Sequence, residues 1–161
     1  MGPPQADVAL REALAMGCDE AYLVSAREFG GSDTYATSGI IAAALKKIGY
    51  DLIITGRQAI DGDTAQVGPQ IAEKLHLPQV SYVEEVVEAA ADHVVVKRQF
   101  EDGYHIIKIK TPCLLTAIAE LATPRYMSVR GIVEAYEKEI KVLGFEDLKD
   151  GLELDMIGLK G

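Results

Sequence analysis

Asp51 to Thr55 is a compact run rich in β-branched residues, and it lies between two stretches whose apolar residues recur at helical spacing. Such a run predicts a central strand of a parallel sheet, because a strand covered on both faces loses its polar alternation. On its N-terminal side, Ile40, Ile41, Ala44 and Leu45 define a helix from Thr34, with Lys46 and Lys47 near its end and Gly49 as its stop. Before that, Ala21 to Val24 is a short apolar strand. Earlier still, Gln5 to Met16 forms a helix opened by Pro3 and Pro4 and closed by Gly17. Helix, strand, helix and strand in this order predict an α/β layered domain with right-handed crossovers. A sheet of this kind normally opens with a strand, whereas this chain opens at a turn that would follow one. The expectation is therefore a sheet lacking its first strand, helix and strand.

The second half changes character. A helix is expected from about Gln66 to His76, with Pro69 in its first turn. Val80 to Val87, His93 to Arg98 and His105 to Lys110 then alternate polar with apolar residues and are separated by turn-like Ala90–Asp92 and Glu101–Gly103. They predict antiparallel strands, the last two a hairpin. Pro112 to Thr116 is a further buried strand, Val129 to Lys138 a helix, and Ile140 to Leu143 an extended segment. With 161 residues, one domain over 1–143 is expected, and the acidic, weakly patterned stretch 144–161 is expected to be a peripheral arm.

A net charge of −9 argues against nucleic-acid or anionic-membrane partners, since no basic stripe breaks the average. Lys97, Arg98, Lys108 and Lys110 sit on probable strands and are expected to form a solvated face. No apolar run approaches the roughly 20 residues a membrane helix needs. Two cysteines, Cys18 and Cys113, form no paired framework, which points to a reducing cytoplasm. His76, His93 and His105 are dispersed and predict no metal site. No constellation for nucleophilic or acid–base catalysis is present.

The loop Gly56 to Gly68 is where a site belongs, because open α/β sheets bind ligands outside the carboxyl ends of their strands. Gly56, Gly62 and Gly68 are expected to let the backbone turn tightly and approach a ligand. Amides around Thr64 to Val67, at a helix start, suit a phosphate. Asp63 is expected as the N-cap, and Gln66 adds a side-chain amide to the same anion. The plainer alternative is that Asp61 and Asp63 only brace the turn.

At these residues a family resemblance becomes specific. The segment GRQAIDGDTAQVGP resembles the nucleotide-binding segment of electron-transfer flavoprotein beta subunits, and PRYMSVRGI resembles their partner-docking loop. MGPP, LREALAMGCDEAYLV, PCLLT and the closing DMIGLKG are similar too, so the likeness spans the chain. It implies a doubly wound, Rossmann-like fold of the adenine-nucleotide-hydrolase type with an added antiparallel hairpin. It also implies a non-catalytic electron-carrier subunit that binds AMP or FAD beside an FAD-carrying alpha subunit and serves a dehydrogenase of acyl-CoA type. The wording GDTAQVGP looks more like the electron-bifurcating group.

By the same resemblance, Asp63, Thr64, Ala65, Gln66 and Val67 would contact the phosphates, with Gly56 and Gly68 beside them, and Met1, Gly2 and Pro3 would line the adenine. An Asn common in the family is replaced here by Ala65, so contact there falls to the backbone. Tyr126 and Val129 would dock the partner; the alternatives for Val129 are that it simply starts a helix or that it packs inward against its own domain. Against the flavoprotein reading stands a free-standing adenine-nucleotide module like the universal stress proteins.

Overall fold

The structure, a computed structural model, describes residues 1–152. The DMIGLKG stretch lies outside the described residues, as does half of the expected arm, 153–161. The described chain groups into two compact units, one made of Met1–Ser32 with the chain from Pro124 onward, the other of Asp33–Thr123. The sequence had pointed to one domain over 1–143.

In the first unit a single 3-10 turn at Pro4–Ala6 leads into α1 (Asp7–Ala15), followed by β1 (Ala21–Val24). The chain re-enters this unit before α4 (Val129–Glu137), then β7 (Ile140–Leu143) and α5 (Phe145–Leu148). β1 and β7 pair in parallel, Ala21 opposite Ile140 and Val24 opposite Leu143. Leu14, Ala21 and Ala135 form the core here, with Leu10, Ala15 and Ile140 packed against them. Arg11 donates from Nη1 to the carbonyl oxygens of Ala135 at 2.6 Å and Lys138 at 2.5 Å, satisfying acceptors that the end of α4 leaves free.

The second unit holds α2 (Thr34–Ile48), β2 (Leu52–Gly56), α3 (Val67–Lys74), β3 (Gln79–Ala89), β4 (His93–Phe100), β5 (Gly103–Lys110) and β6 (Cys113–Ala117). Its sheet runs in the order β2-β6-β3-β4-β5. β2, β6 and the start of β3 are parallel, while β3, β4 and β5 run antiparallel. The long strand β3 therefore belongs to both parts. This mixed sheet, with α3 connecting the parallel strands β2 and β3, is an α/β, Rossmann-like arrangement.

Cys113 to Thr116 are buried without a break, as expected for a strand covered on both faces. Successive side chains point opposite ways. Leu114 accordingly packs with Ala42, Ile53, Ile71 and Leu75 from β2 and the helices, whereas Cys113 and Leu115 pack with Val80, Val83, Val94 and Val96 from the antiparallel part.

One expectation needs correcting. Among the described residues the Asp51 to Thr55 run is an edge of its sheet, not a centre: β2 pairs there with β6 alone, and Ile54 is 53% exposed. β-branched residues report a preference for extended backbone and one packed face. They do not report how many neighbours the strand has.

Candidate functional site

β2 ends at Gly56, where Arg57 continues the ladder by donating its N–H to the Ala117 carbonyl at 3.0 Å. The chain then leaves the sheet for a ten-residue excursion before α3, a helix of eight residues. Asp61 accepts from the Gly62 N–H at 2.9 Å, and Asp63 Oδ1 accepts from the side-chain amide of Gln58. Both aspartates thus brace the loop.

Three local expectations change. Asp63 is not the cap of α3: the N-cap position is Gln66, and no side chain caps the helix. The amides at its start are left without side-chain acceptors, as an anion site requires. The left-handed turns also fall on unexpected residues. Asp63 (φ 49°) and Ala65 (φ 52°) take the conformation that favours glycine, whereas Gly56, Gly62 and Gly68 do not. Ala65 is left-handed and Gln66 right-handed (φ −99°, ψ −31°), a succession that gathers neighbouring N–H groups into a concave nest.

Gly68 proves to be a packing residue. It is buried, and a Cβ there would meet Thr55 Oγ1 at 2.7 Å and Thr116 Cγ2 at 2.8 Å. Its hydrogen lets α3 lie directly on β2 and β6. A Cβ at Gly56 or Gly62 would meet nothing within 4 Å, so open space adjoins the loop at both. Thr64 and Gln66 are exposed, Ala65 and Val67 half-buried. Gln66 Oε1 accepts from Thr34 Oγ1 at 3.1 Å, which ties the loop to the start of α2. That start is itself capped by Asp33, whose Oδ1 accepts from the Ala36 N–H at 2.8 Å. Thr34 carries no sequence signal for this role; only the packing of α2 beside α3 supplies it.

Met1, Gly2 and Pro3 belong to the first unit. The Gly2 N–H donates to the Val24 carbonyl at 3.1 Å, which places the three residues at the carboxyl end of β1. There they wall an apolar hollow together with Ala26 and Phe29.

Tyr126 and Val129 also lie in the first unit, 95% and 81% exposed. Ser128 caps α4 by accepting from the Gly131 N–H at 3.0 Å, so Val129 opens the helix with its side chain outward. The core-residue alternative for Val129 is excluded by that exposure. Ile132, Val133 and Tyr136 are exposed too, at helical spacing from Val129. A Cβ on Gly131 would meet the Ala15 carbonyl oxygen at 2.8 Å, so α4 approaches the end of α1 as closely as α3 approaches its strands.

The expected solvated basic face divides. Lys97 pairs with Glu84 at 2.8 Å, and this carboxylate holds the ammonium pKa above its usual value. Arg98 is half-buried and turns towards Tyr82 and Phe100 instead.

Residues 1–148 match the family model described as "Electron transfer flavoprotein domain". The chain is 59% identical to an electron transfer flavoprotein subunit beta of Thermoanaerobacterium thermosaccharolyticum, covering all of this chain and 61% of the relative. It is also 59% identical to the acryloyl-CoA reductase electron transfer subunit gamma of Anaerotignum propionicum, covering all of this chain and 62% of that one. It is 56% identical to the caffeyl-CoA reductase-Etf complex subunit CarD of Acetobacterium woodii, with 99% and 60% covered. The chain spans about three fifths of the length of these curated relatives.

Proposed function

Because the chain belongs to the electron transfer flavoprotein family, we propose that it acts as a beta-type subunit of an electron carrier, holding AMP or FAD at the loop Gly56 to Gly68. The single observation that carries this reading is the start of α3: an uncapped helix entered through left-handed Asp63 and Ala65, with open space beside Gly56 and Gly62. Backbone amides of Thr64 to Val67 hold the phosphate, and Gln66, anchored through Thr34, keeps the loop in register. The family resemblance assigns Met1, Gly2 and Pro3 to the adenine, and within their own unit they wall an apolar hollow. The flavin, where bound, supplies the one- and two-electron chemistry. The chain's own residues bind and orient it, and the subunit is a carrier, not an enzyme.

The same reading takes the fold as a doubly wound sheet and the cellular site as the cytoplasm. It also gives the chain an FAD-carrying alpha subunit as partner. Tyr126 and Val129 form the contact for a dehydrogenase of acyl-CoA type. Two relatives named as subunits of CoA-ester reductase systems favour the electron-bifurcating group and FAD over AMP.

Titration calorimetry with AMP and with adenosine tests the loop, since the two differ only in the phosphate. AMP is expected to bind at least on the order of tenfold tighter, the worth of a charge-assisted contact to backbone amides. Equal affinities would remove the phosphate role of residues 64–67.

A further inference from the structure

α2 and α3 run side by side in the same sense. At their starts Thr34 Oγ1 donates to Gln66 Oε1 at 3.1 Å, and further along both a Cβ on Gly39 would lie 3.8 Å from Lys74 Cε. Ala42 of α2 shares a core cluster with Ile71 and Ala72 of α3, and the Lys74 ammonium sits 3.5 Å from the Tyr35 ring centroid. Packing therefore holds both N-termini together, next to the loop that enters α3. Each start carries the partial positive charge of amides that no preceding turn satisfies.

Thr34 is the first residue of α2. Its neighbour Asp33 already caps that helix by accepting from the Ala36 N–H at 2.8 Å. The Thr34 hydroxyl is thereby left to reach across to Gln66, the residue at which the loop becomes α3.

A glutamine amide carries its acceptor and its two donors on opposite arms of one plane. Thr34 occupies the acceptor arm. The donor arm, Nε2 with two N–H groups, has no partner among the described residues, and the side chain is exposed. The positive end of α2 favours this orientation over the flipped one, because it attracts the carbonyl oxygen and repels the amide hydrogens. Flipped, the group would turn an acceptor outward, and an acceptor beside phosphate oxygens is repulsive.

We infer that Thr34 is a positioning residue for the anion site: by holding Gln66 Oε1 it fixes the amide with its N–H groups outward, where they donate alongside the backbone amides of residues 64–67. This rests on the phosphate reading above. Thr34 acts through Gln66, and the pair selects a ligand that presents acceptor oxygens. The bond between two helix starts thus sets the polarity of the site as well as the place of the loop.

The test titrates AMP and adenosine calorimetrically into the full chain and its variants. The readout is the ratio of the two affinities, because a merely structural change moves both together. Thr34→Val keeps the shape and loses the hydroxyl. It should lower the ratio about three- to tenfold, the worth of one hydrogen bond to a charged group, and leave adenosine binding unchanged. Thr34→Ser should restore the ratio. Gln66→Ala should lower it as Thr34→Val does, and the double variant no further, since both substitutions remove the same donor. In Gln66→Glu the carboxylate still accepts from Thr34 but turns a negative charge outward, so the ratio should fall below that of Gln66→Ala.

Should Thr34→Val fail to fold, Thr34→Ala carries the same expectation. A ratio that survives loss of the hydroxyl, that Thr34→Ser fails to restore, or that falls additively in the double variant overturns the positioning role and leaves the loop assignment standing. Equal losses of AMP and adenosine in Thr34→Val would reduce the hydroxyl to a structural brace, with the same result. Equal affinities for AMP and adenosine in the unaltered chain overturn the loop assignment itself, and the positioning role with it.

Discussion

The loop Gly56–Gly68 and the segment Pro124–Glu137 are both exposed and both rest on one glycine, yet they are built in opposite ways. In the loop, Gly68 brings α3 onto its strands, and the exposed chain is polar, strained at Asp63 and Ala65, and uncapped. In the segment, Gly131 brings α4 onto α1, and the exposed chain is an unstrained, Ser-capped helix carrying apolar side chains outward. The first arrangement offers free backbone donors, which suit a small anion. The second offers apolar area on a regular frame, which suits a protein. A close-packed glycine thus says where a helix is held, and the exposed groups beside it say for what.

The largest effect should come from the two glycines. Gly68→Val and Gly131→Val should each cost on the order of 3 kcal/mol, because a side chain there meets strand atoms or a backbone carbonyl that has little room to yield. Urea unfolding of both variants measures this. A loss below about 1 kcal/mol in either would show that its helix shifts freely and would end the parallel between the regions. Gly62→Ala, with open space around it, should change stability by no more than about 0.5 kcal/mol.

Next in size are the helix starts. Ser128→Ala should destabilise by about 1 kcal/mol, since its hydroxyl caps α4. Gln66→Ala should lose no more than about 0.5 kcal/mol, because Gln66 caps nothing and its bond to Thr34 is exposed. Equal losses in the same unfolding assay would mean that α3 is capped after all, and the free donors would disappear from the account. Ala65→Gly should stabilise by about 1 kcal/mol by relieving the left-handed strain. No gain would show that the loop is relaxed as it stands.

The smallest effect on stability belongs to Val129→Glu, which should stay within about 0.5 kcal/mol because the side chain is 81% exposed. Electron transfer to the dehydrogenase, followed by stopped-flow absorbance in a complex with an alpha subunit, should nonetheless slow. An unchanged rate would count against the proposed docking role of Val129.

Much of the fold was legible from local patterns. The strands Ala21–Val24 and Cys113–Ala117, the helix from Thr34 and the alternating segments after Val80 appear where periodicity and turn residues put them. These elements bury one face or both through residues close in sequence, so hydrophobic spacing is enough to reveal them. The loop's place between a strand and a helix was legible from its glycines and aspartates. Its internal conformation was not. Gly68 looked like a ligand-side glycine and is a packing glycine, because the atoms that demand it belong to Thr55 and Thr116 and the second of these is far away in the chain.

By itself, then, the sequence determined the order and type of the elements and the family, and it pointed to the loop after β2 as the proposed nucleotide site; all of these rest on residues adjacent in the chain. Only the tertiary structure decided that Asp63 and Ala65 carry the left-handed turns, that β2 lies at an edge, that Val129 faces outward and that Arg98 leaves its solvated neighbours for Tyr82. Each of those outcomes depends on which distant residue fills the neighbouring space. Close packing settles that question between segments, and no local pattern of residues encodes it.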